Sequence, residues 1–158
     1  MQHLEHNLEV SLKDATATLA FAHSVGVKLR GGEVIELIGD LGAGKTTFVI
    51  GLAKGAGITE PVSSPSFTIR NDYATENLSI AHYDLFRIND PGELKELLAE
   101  SLQEPHTVVA VEWADSLSHI LPNDRIKITL KPMNDDTRLI EVRYPERYAY
   151  LFNKTAAC

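Results

Sequence analysis

The residues with the most specific chemical meaning in this chain are Gly39, Asp40, Leu41, Gly42, Ala43, Gly44, Lys45 and Thr46. They follow the pattern G-x-x-x-x-G-K-[ST], the spacing with which backbone N–H groups wrap a chain of phosphates. Side chains at Gly39, Gly42 and Gly44 would block that approach or the dihedral angles it needs. Lys45 can reach β- and γ-phosphates, and the Thr46 hydroxyl can ligate Mg²⁺. An apolar run, Val34-Ile35-Glu36-Leu37-Ile38, precedes the loop, and the helical pattern Thr47-Phe48-Val49-Ile50-Gly51-Leu52-Ala53 follows it. A helix starting near Lys45 adds unpaired N–H groups and the positive end of its dipole to the same place. With both flanks present, a chance glycine turn is a poor alternative, and nucleotide binding is expected.

Other stretches can bring groups to a bound phosphate. Thr107-Val108-Val109-Ala110-Val111-Glu112-Trp113 is a continuous apolar run that suits a strand buried on both faces of a parallel sheet. The acid at its carboxyl end, Glu112, sits where phosphate-loop proteins grip magnesium, directly or through water. A solvent-facing strand end is the plainer alternative. Leu78 to Phe86 alternates into a strand with Asp84 near its end. Residues 60–70, rich in hydroxyls and interrupted by Pro61 and Pro65, cannot be helical and should run extended into a strand ending near Tyr73. A segment placed there can act as a γ-phosphate sensor through Ser64, Ser66 and Thr68, or serve as an ordinary connector.

These groups need a scaffold, and the remaining elements supply it. Leu4 to Val10 reads as a first strand. Ser11 then reads as the N-cap of a helix, with Asp14 three residues on, and apolar residues recur at helical spacing up to Gly26. Leu94, Leu97, Leu98 and Leu102 mark an amphipathic helix whose Glu93, Glu96, Glu100 and Glu104 face outward as a solvated row. Residues 124–130 and 137–144 alternate and pair as a terminal hairpin across the 131–136 turn. A short helix around Tyr148 to Phe152 closes the chain. The expected fold is α/β, a P-loop NTPase-like three-layer sandwich with a mostly parallel central sheet and an antiparallel C-terminal hairpin. Residues 1–152 are expected to form one domain, with 153–158 as a flexible tail.

The chain is 158 residues long, 44% hydrophobic and 23% charged, ordinary values for a globular protein. No apolar stretch is long enough for a membrane span, the start does not read as a signal peptide, and Cys158, the single cysteine, cannot close an internal disulfide. A cytoplasmic location is expected. The formal charge of −7 is uneven: residues 1–124 hold 8 basic and 18 acidic side chains, residues 125–158 hold 7 and 4. An acidic surface repels a polyanion, which argues against independent binding of tRNA or DNA and leaves contact through a basic partner.

Neither the Asp-x-x-Gly nor the Asn-Lys-x-Asp pattern of guanine-specific switches occurs, so ATP is the expected nucleotide. A small-metabolite kinase normally brings arginines in a lid over the phosphates, whereas the seven arginines here are scattered. A nucleotide-gated scaffold with little hydrolysis is the other rival.

Four runs in order, residues 39–48, Ser63-Ser64-Pro65-Ser66-Phe67-Thr68, His82-Tyr83-Asp84-Leu85-Phe86-Arg87 and Val111-Glu112-Trp113-Ala114-Asp115, resemble the bacterial TsaE (YjeE) family. Ser66 stands where that family often has Thr, and Phe86 where it often has Tyr. The resemblance implies an ATPase subunit of the machinery that makes N6-threonylcarbamoyladenosine beside the anticodon of tRNAs reading codons that begin with A. It implies docking on TsaD and TsaB proteins, with carbamoyl transfer left to them and tRNA contacted only through them.

On this reading the backbone of residues 40–45 with Thr46 and Thr47 holds the phosphates of ATP or ADP, and Lys45 offsets their charge. Thr46 and Glu112 position Mg²⁺, Asp84 orients the attacking water, and Ser66 and Thr68 sense the γ-phosphate. Asp84 and Glu112 can exchange roles. Ser11 and the loop at Lys131 are expected to border the adenine, from their placement at sheet ends.

Overall fold

A computed structural model of the chain describes residues 5–65, 68–86, 88, 92–134 and 136–153. Strands form at Glu5–Leu12 (β1), Val34–Ile38 (β2), Arg70–Ala74 (β3), Ser79–Asp84 (β4), Thr107–Glu112 (β5), Ile126–Pro132 (β6) and Arg138–Pro145 (β7). Helices form at Ala15–Gly26 (α1), Lys45–Gly55 (α2) and Gly92–Gln103 (α3), with 3₁₀ turns at Ala114–Leu117 and Glu146–Leu151. The seven strands make one sheet in the order β1-β7-β6-β2-β5-β4-β3. Its centre, β6-β2-β5-β4, is parallel. β3 pairs antiparallel with β4 at one edge, and β7 and β1 continue antiparallel from β6 at the other. This is the expected mostly parallel sheet with its C-terminal hairpin, of P-loop NTPase-like architecture.

The apolar runs at the centre are covered on both faces. In β5, Val108 to Val111 are buried almost completely. One layer, formed by α1, α2 and the last 3₁₀ turn, packs Ala22, Val25, Phe48, Leu52 and Leu151 against Ile35, Leu37, Ile128 and Ile140. The other packs Leu98 of α3 and Leu117 against Tyr83, Val109 and Val111. Fully burying a side chain of the size of Phe48 or Leu52 contributes roughly 1.5–3 kcal/mol each. Helices α1 and α2 meet backbone to backbone at Gly26 and Gly55, and at Gly51 the Leu19 carbonyl and the Ala22 methyl close in. A Cβ at Gly26 would lie 2.1 Å from the Leu52 carbonyl oxygen, and one at Gly55 would lie 2.2 Å from that of His23.

The beginning of the chain departs from the sequence reading. Strand β1 runs through Leu12, because Ser11 and Leu12 are held in register opposite Leu139 and Arg138 of β7. Ser11 is therefore a strand residue and does not cap α1. Asp14 takes that place: its backbone is extended and its Oδ1 accepts the Ala17 N–H at 2.8 Å. Pairing along a sheet edge outweighed a capping box that Asp in the Glu/Gln position had already weakened. Strand β3 begins only at Arg70, and residues 60–65 are non-repetitive. The closing helix is a 3₁₀ turn, while residues 154–158 of the expected tail lie outside the described residues. Among the described residues, no helix is long and apolar enough to cross a membrane.

Candidate functional site

The glycine-rich loop links β2 to α2. Gly42 (φ 80°) and Gly44 (φ 104°) both adopt left-handed backbone, and Gly44 is the N-cap residue, with no side chain to cover the first N–H groups of α2. Within the loop the Ala43 N–H donates to the Asp40 carbonyl at 3.0 Å. From the hairpin, Arg138 Nε donates to the Ala43 carbonyl at 3.1 Å and pins the loop from outside. A Cβ at Gly39 would sit 2.8 Å from the Leu130 carbonyl oxygen, so only glycine lets the loop pass β6 this closely. Leu41, at the tip, is 71% exposed.

The loop walls a cavity of about 250 Å³ lined by Lys45, Thr46, Thr47, Ser64, Asp84, Glu112 and Trp113 together with Gly42 and Gly44. Asp84 and Glu112 end two adjacent parallel strands and are register partners, so the topology alone brings them together. Both are buried, at 7% and 3% exposure. The Asp84 N–H donates to the Ile69 carbonyl at 2.8 Å, and Asp84 Oδ1 accepts the Phe86 N–H at 3.0 Å. Glu112 Oε2 lies 2.5 Å from His82 Nε2. Lys45 is buried too; its Nζ donates to the Gly39 carbonyl and lies 4.1 Å from the centre of the Trp113 ring. Burial pushes the Lys45 ammonium below its ordinary value, and the charges of Glu112, Asp84 and Asp40 oppose the shift.

Each carboxylate has a strained neighbour in space. Trp113 (φ 56°), next to Glu112, and Ile69 (φ 70°), whose carbonyl holds the Asp84 N–H, both lie in the left-handed region. That conformation costs of order 1–3 kcal/mol for a bulky or β-branched residue and concentrates at sites with a job to do. Trp113 is further held by Phe86, with ring centroids 4.8 Å apart.

The residues that could hold a metal fit magnesium in kind. Among the described residues no group of three or more His, Cys, Asp or Glu forms a cage. Magnesium takes one or two carboxylates and completes its shell with water and phosphate oxygens, so Asp84, Glu112 and the Thr46 hydroxyl around one cavity are an adequate donor set.

Of the other residues expected at the site, Ser64 lines the cavity and Ser66 lies outside the described residues. Thr68 is turned away from it, its hydroxyl donating to Asn71 Oδ1 at 2.8 Å. Lys131 pairs with Glu141 at 3.0 Å and lines a different cavity at the ends of β2, β5 and β6. Ser11 is exposed on β1. A second cavity of about 380 Å³ adjoins the first, sharing Gly42, Gly44 and Thr47, and is otherwise walled by residues including Asp14, Thr16, Thr18, Asp136 and Arg138. Arg138, His82 and Trp113 were missed as site residues. For His82 the available signal was its place two residues before Asp84 on one strand, hence on the same face; for Trp113 it was adjacency to Glu112. Arg138 carried no signal, because the sheet order that brings β7 over the loop is not local.

The family described as threonylcarbamoyl adenosine biosynthesis protein TsaE matches residues 12–140. A tRNA threonylcarbamoyladenosine biosynthesis protein TsaE from Bacillus subtilis is 41% identical over 123 residues, 78% of this chain and 77% of that protein. A protein of the same name from Nostoc sp. is 35% identical over 142 residues, covering 88% and 87% of the two chains. The crystal structure of Bacillus subtilis YdiB superposes with a TM-score of 0.78 at 32% identity, over 99% of this chain and 97% of that one.

Proposed function

The chain belongs to the TsaE family, and on that premise we propose that it is an ATP-binding, slowly hydrolysing subunit required to form N6-threonylcarbamoyladenosine beside the anticodon of tRNAs reading codons that begin with A. It acts in the cytoplasm on a TsaD–TsaB pair, which holds the tRNA and carries out the transfer. The observation that carries the reading is the meeting of Lys45, Thr46, Asp84 and Glu112 around one cavity at the amino end of α2.

The loop N–H groups of residues 40–45, with Thr46 and Thr47, take the phosphates, and the dipole of α2 adds to their pull. The Lys45 ammonium leaves the Gly39 carbonyl for the β/γ oxygens, where the phosphate charge stabilises the cation that burial disfavours. Thr46, Glu112 and Asp84 would hold magnesium, which when bound would supply charge neutralisation to the phosphates. Of the two acids, Asp84 is assigned the attacking water. Ser64 presents a hydroxyl to the γ-phosphate end. The nucleoside enters the 380 Å³ cavity, because that space shares the loop wall with the phosphate cavity. Asp14 to Thr18 and the turn before Arg138 then border the base and ribose, in place of Ser11 and Lys131.

The test is ATP hydrolysis by the purified chain, alone and with TsaD, TsaB and tRNA. A slow basal rate that rises with the partners is expected. Phosphate transfer to a small acceptor, or no hydrolysis under any of these conditions, would overturn the reading.

A further inference from the structure

We propose that His82 is a positioning residue that sets the Glu112 carboxylate for the cation. The proposal rests on the reading of Glu112 as a magnesium ligand and goes beyond it by naming the group that aims it.

His82 lies on β4, two residues before Asp84 and opposite Ala110 of β5, so His82, Asp84 and Glu112 share the sheet face that α2 covers. The imidazole is 0% exposed, and its Nε2 lies 2.5 Å from Glu112 Oε2. Facing a carboxylate, Nε2 carries a proton and donates it, which leaves Nδ1 as the ring atom still to be paired. Nδ1 has no hydrogen-bond partner among the described residues. A buried polar atom left unpaired costs stability, and an apolar side chain at position 82 would avoid that cost. The ring is therefore poorly suited to a purely structural role and well suited to one contact, its Nε2–H on Glu112.

That contact has a use at this place. A single N–H engages one carboxylate oxygen, and the other remains for the cavity that Glu112 lines. The Lys45 ammonium is attracted to Glu112 and is close enough to feel its charge while buried beside it. Were Glu112 free to swing onto Lys45, the phosphate-binding cation and the metal ligand would neutralise each other. His82 holds Glu112 away, and Lys45 instead donates to the Gly39 carbonyl. Outer groups that orient a metal-binding carboxylate typically change metal affinity by about 10–100-fold when removed.

The experiment is calorimetric titration of ADP with and without Mg²⁺, on the full chain and on His82→Phe, His82→Gln, Glu112→Ala and the His82→Phe/Glu112→Ala double variant. His82→Phe is expected to keep metal-free ADP affinity and to need about 10–100-fold more Mg²⁺ for the metal-dependent gain. His82→Gln places an amide N–H where Nε2–H stood and should restore most of the gain. The double variant should be no worse than Glu112→Ala alone, because His82 acts only through Glu112. If His82→Phe loses metal-free binding as well, His82→Met against His82→Gln carries the same contrast. A wild-type magnesium titration in His82→Phe while Glu112→Ala is impaired overturns the proposal alone, as does failure of His82→Gln to recover. An unimpaired Glu112→Ala overturns the ligand reading, and the proposal with it.

Discussion

Two glutamates are buried at opposite ends of the parallel strands, Glu33 at 0% exposure just before β2 and Glu112 at 3% at the end of β5. Their surroundings differ in kind. The Glu33 carboxylate accepts the Arg30 N–H at 2.8 Å, the Gly31 N–H at 2.7 Å and the Tyr150 hydroxyl at 2.5 Å. Arg30 then lies over the Tyr150 ring at 3.8 Å. This is a saturated acid that staples the turn entering β2 to the last 3₁₀ turn. Glu112 has an imidazole that lacks a second partner among the described residues, a left-handed tryptophan beside it, a buried lysine nearby and an open cavity in front. One carboxylate is satisfied by the fold itself, whereas the other is held at a cost to the fold and faces a cavity. The second lies at the carboxyl ends of the strands, where open α/β sheets bind their ligands.

Four substitutions break or sharpen that contrast. Lys45→Ala should remove ATP hydrolysis by about a thousandfold, some 4 kcal/mol of barrier, with little change in melting temperature; near wild-type turnover would refute the assignment. Glu33→Ala should do the reverse. It leaves two N–H groups and a half-buried hydroxyl unpaired and should cost about 3 kcal/mol of stability in urea unfolding, with ADP affinity at low denaturant unchanged. Glu112→Ala should weaken the magnesium dependence of nucleotide binding by about a hundredfold, and calorimetry showing an unaltered magnesium titration would end the distinction drawn here.

The smallest effect is Tyr150→Phe, about 1 kcal/mol at pH 8. Its sharper signature is in alkali. Burial and the bond to Glu33 push the Tyr150 hydroxyl above its ordinary 10.0, and burial does the same to Tyr83 and Tyr148. Folding therefore favours the protonated phenols. Their contribution is complete below pH 10 and is lost as the pH rises through the folded values. Lys45 has the opposite sign: with its value depressed, its contribution is greatest above 10.5 and falls as pH drops through the folded value. Chemical denaturation at pH 8 to 11 should show a steep loss above pH 10 that Tyr150→Phe makes shallower; equal slopes would rule out this source.

How much of this was readable beforehand follows from the range of each interaction. The glycine-rich loop, β2, α2 and the apolar run of β5 ending at Glu112 are local patterns, and each was visible as a run of residue types. Asp84 and Glu112 also followed, since strands that end in acids on a parallel sheet bring those ends together. The start of α1 was misread because β1 is extended by pairing with β7, whose Leu139 lies 128 residues beyond its partner Ser11, a pairing invisible to a capping pattern. Thr68 and Lys131 looked available because their partners, Asn71 and Glu141, emerge only once the turn and the hairpin form. His82 was read as part of an alternating strand, and alternation gives a face without naming a neighbour.

The glycine seam between α1 and α2 bears on the neighbouring cavity as well as on packing. Where the two backbones touch directly, their separation is set by main-chain atoms, which do not yield as side-chain tips do. Both helices begin beside the same 380 Å³ cavity, α1 at Asp14 to Thr18 and α2 just behind Gly44. Its jaws are thus mounted on one stiff bracket, and it can gauge the width of what enters without having to close around it.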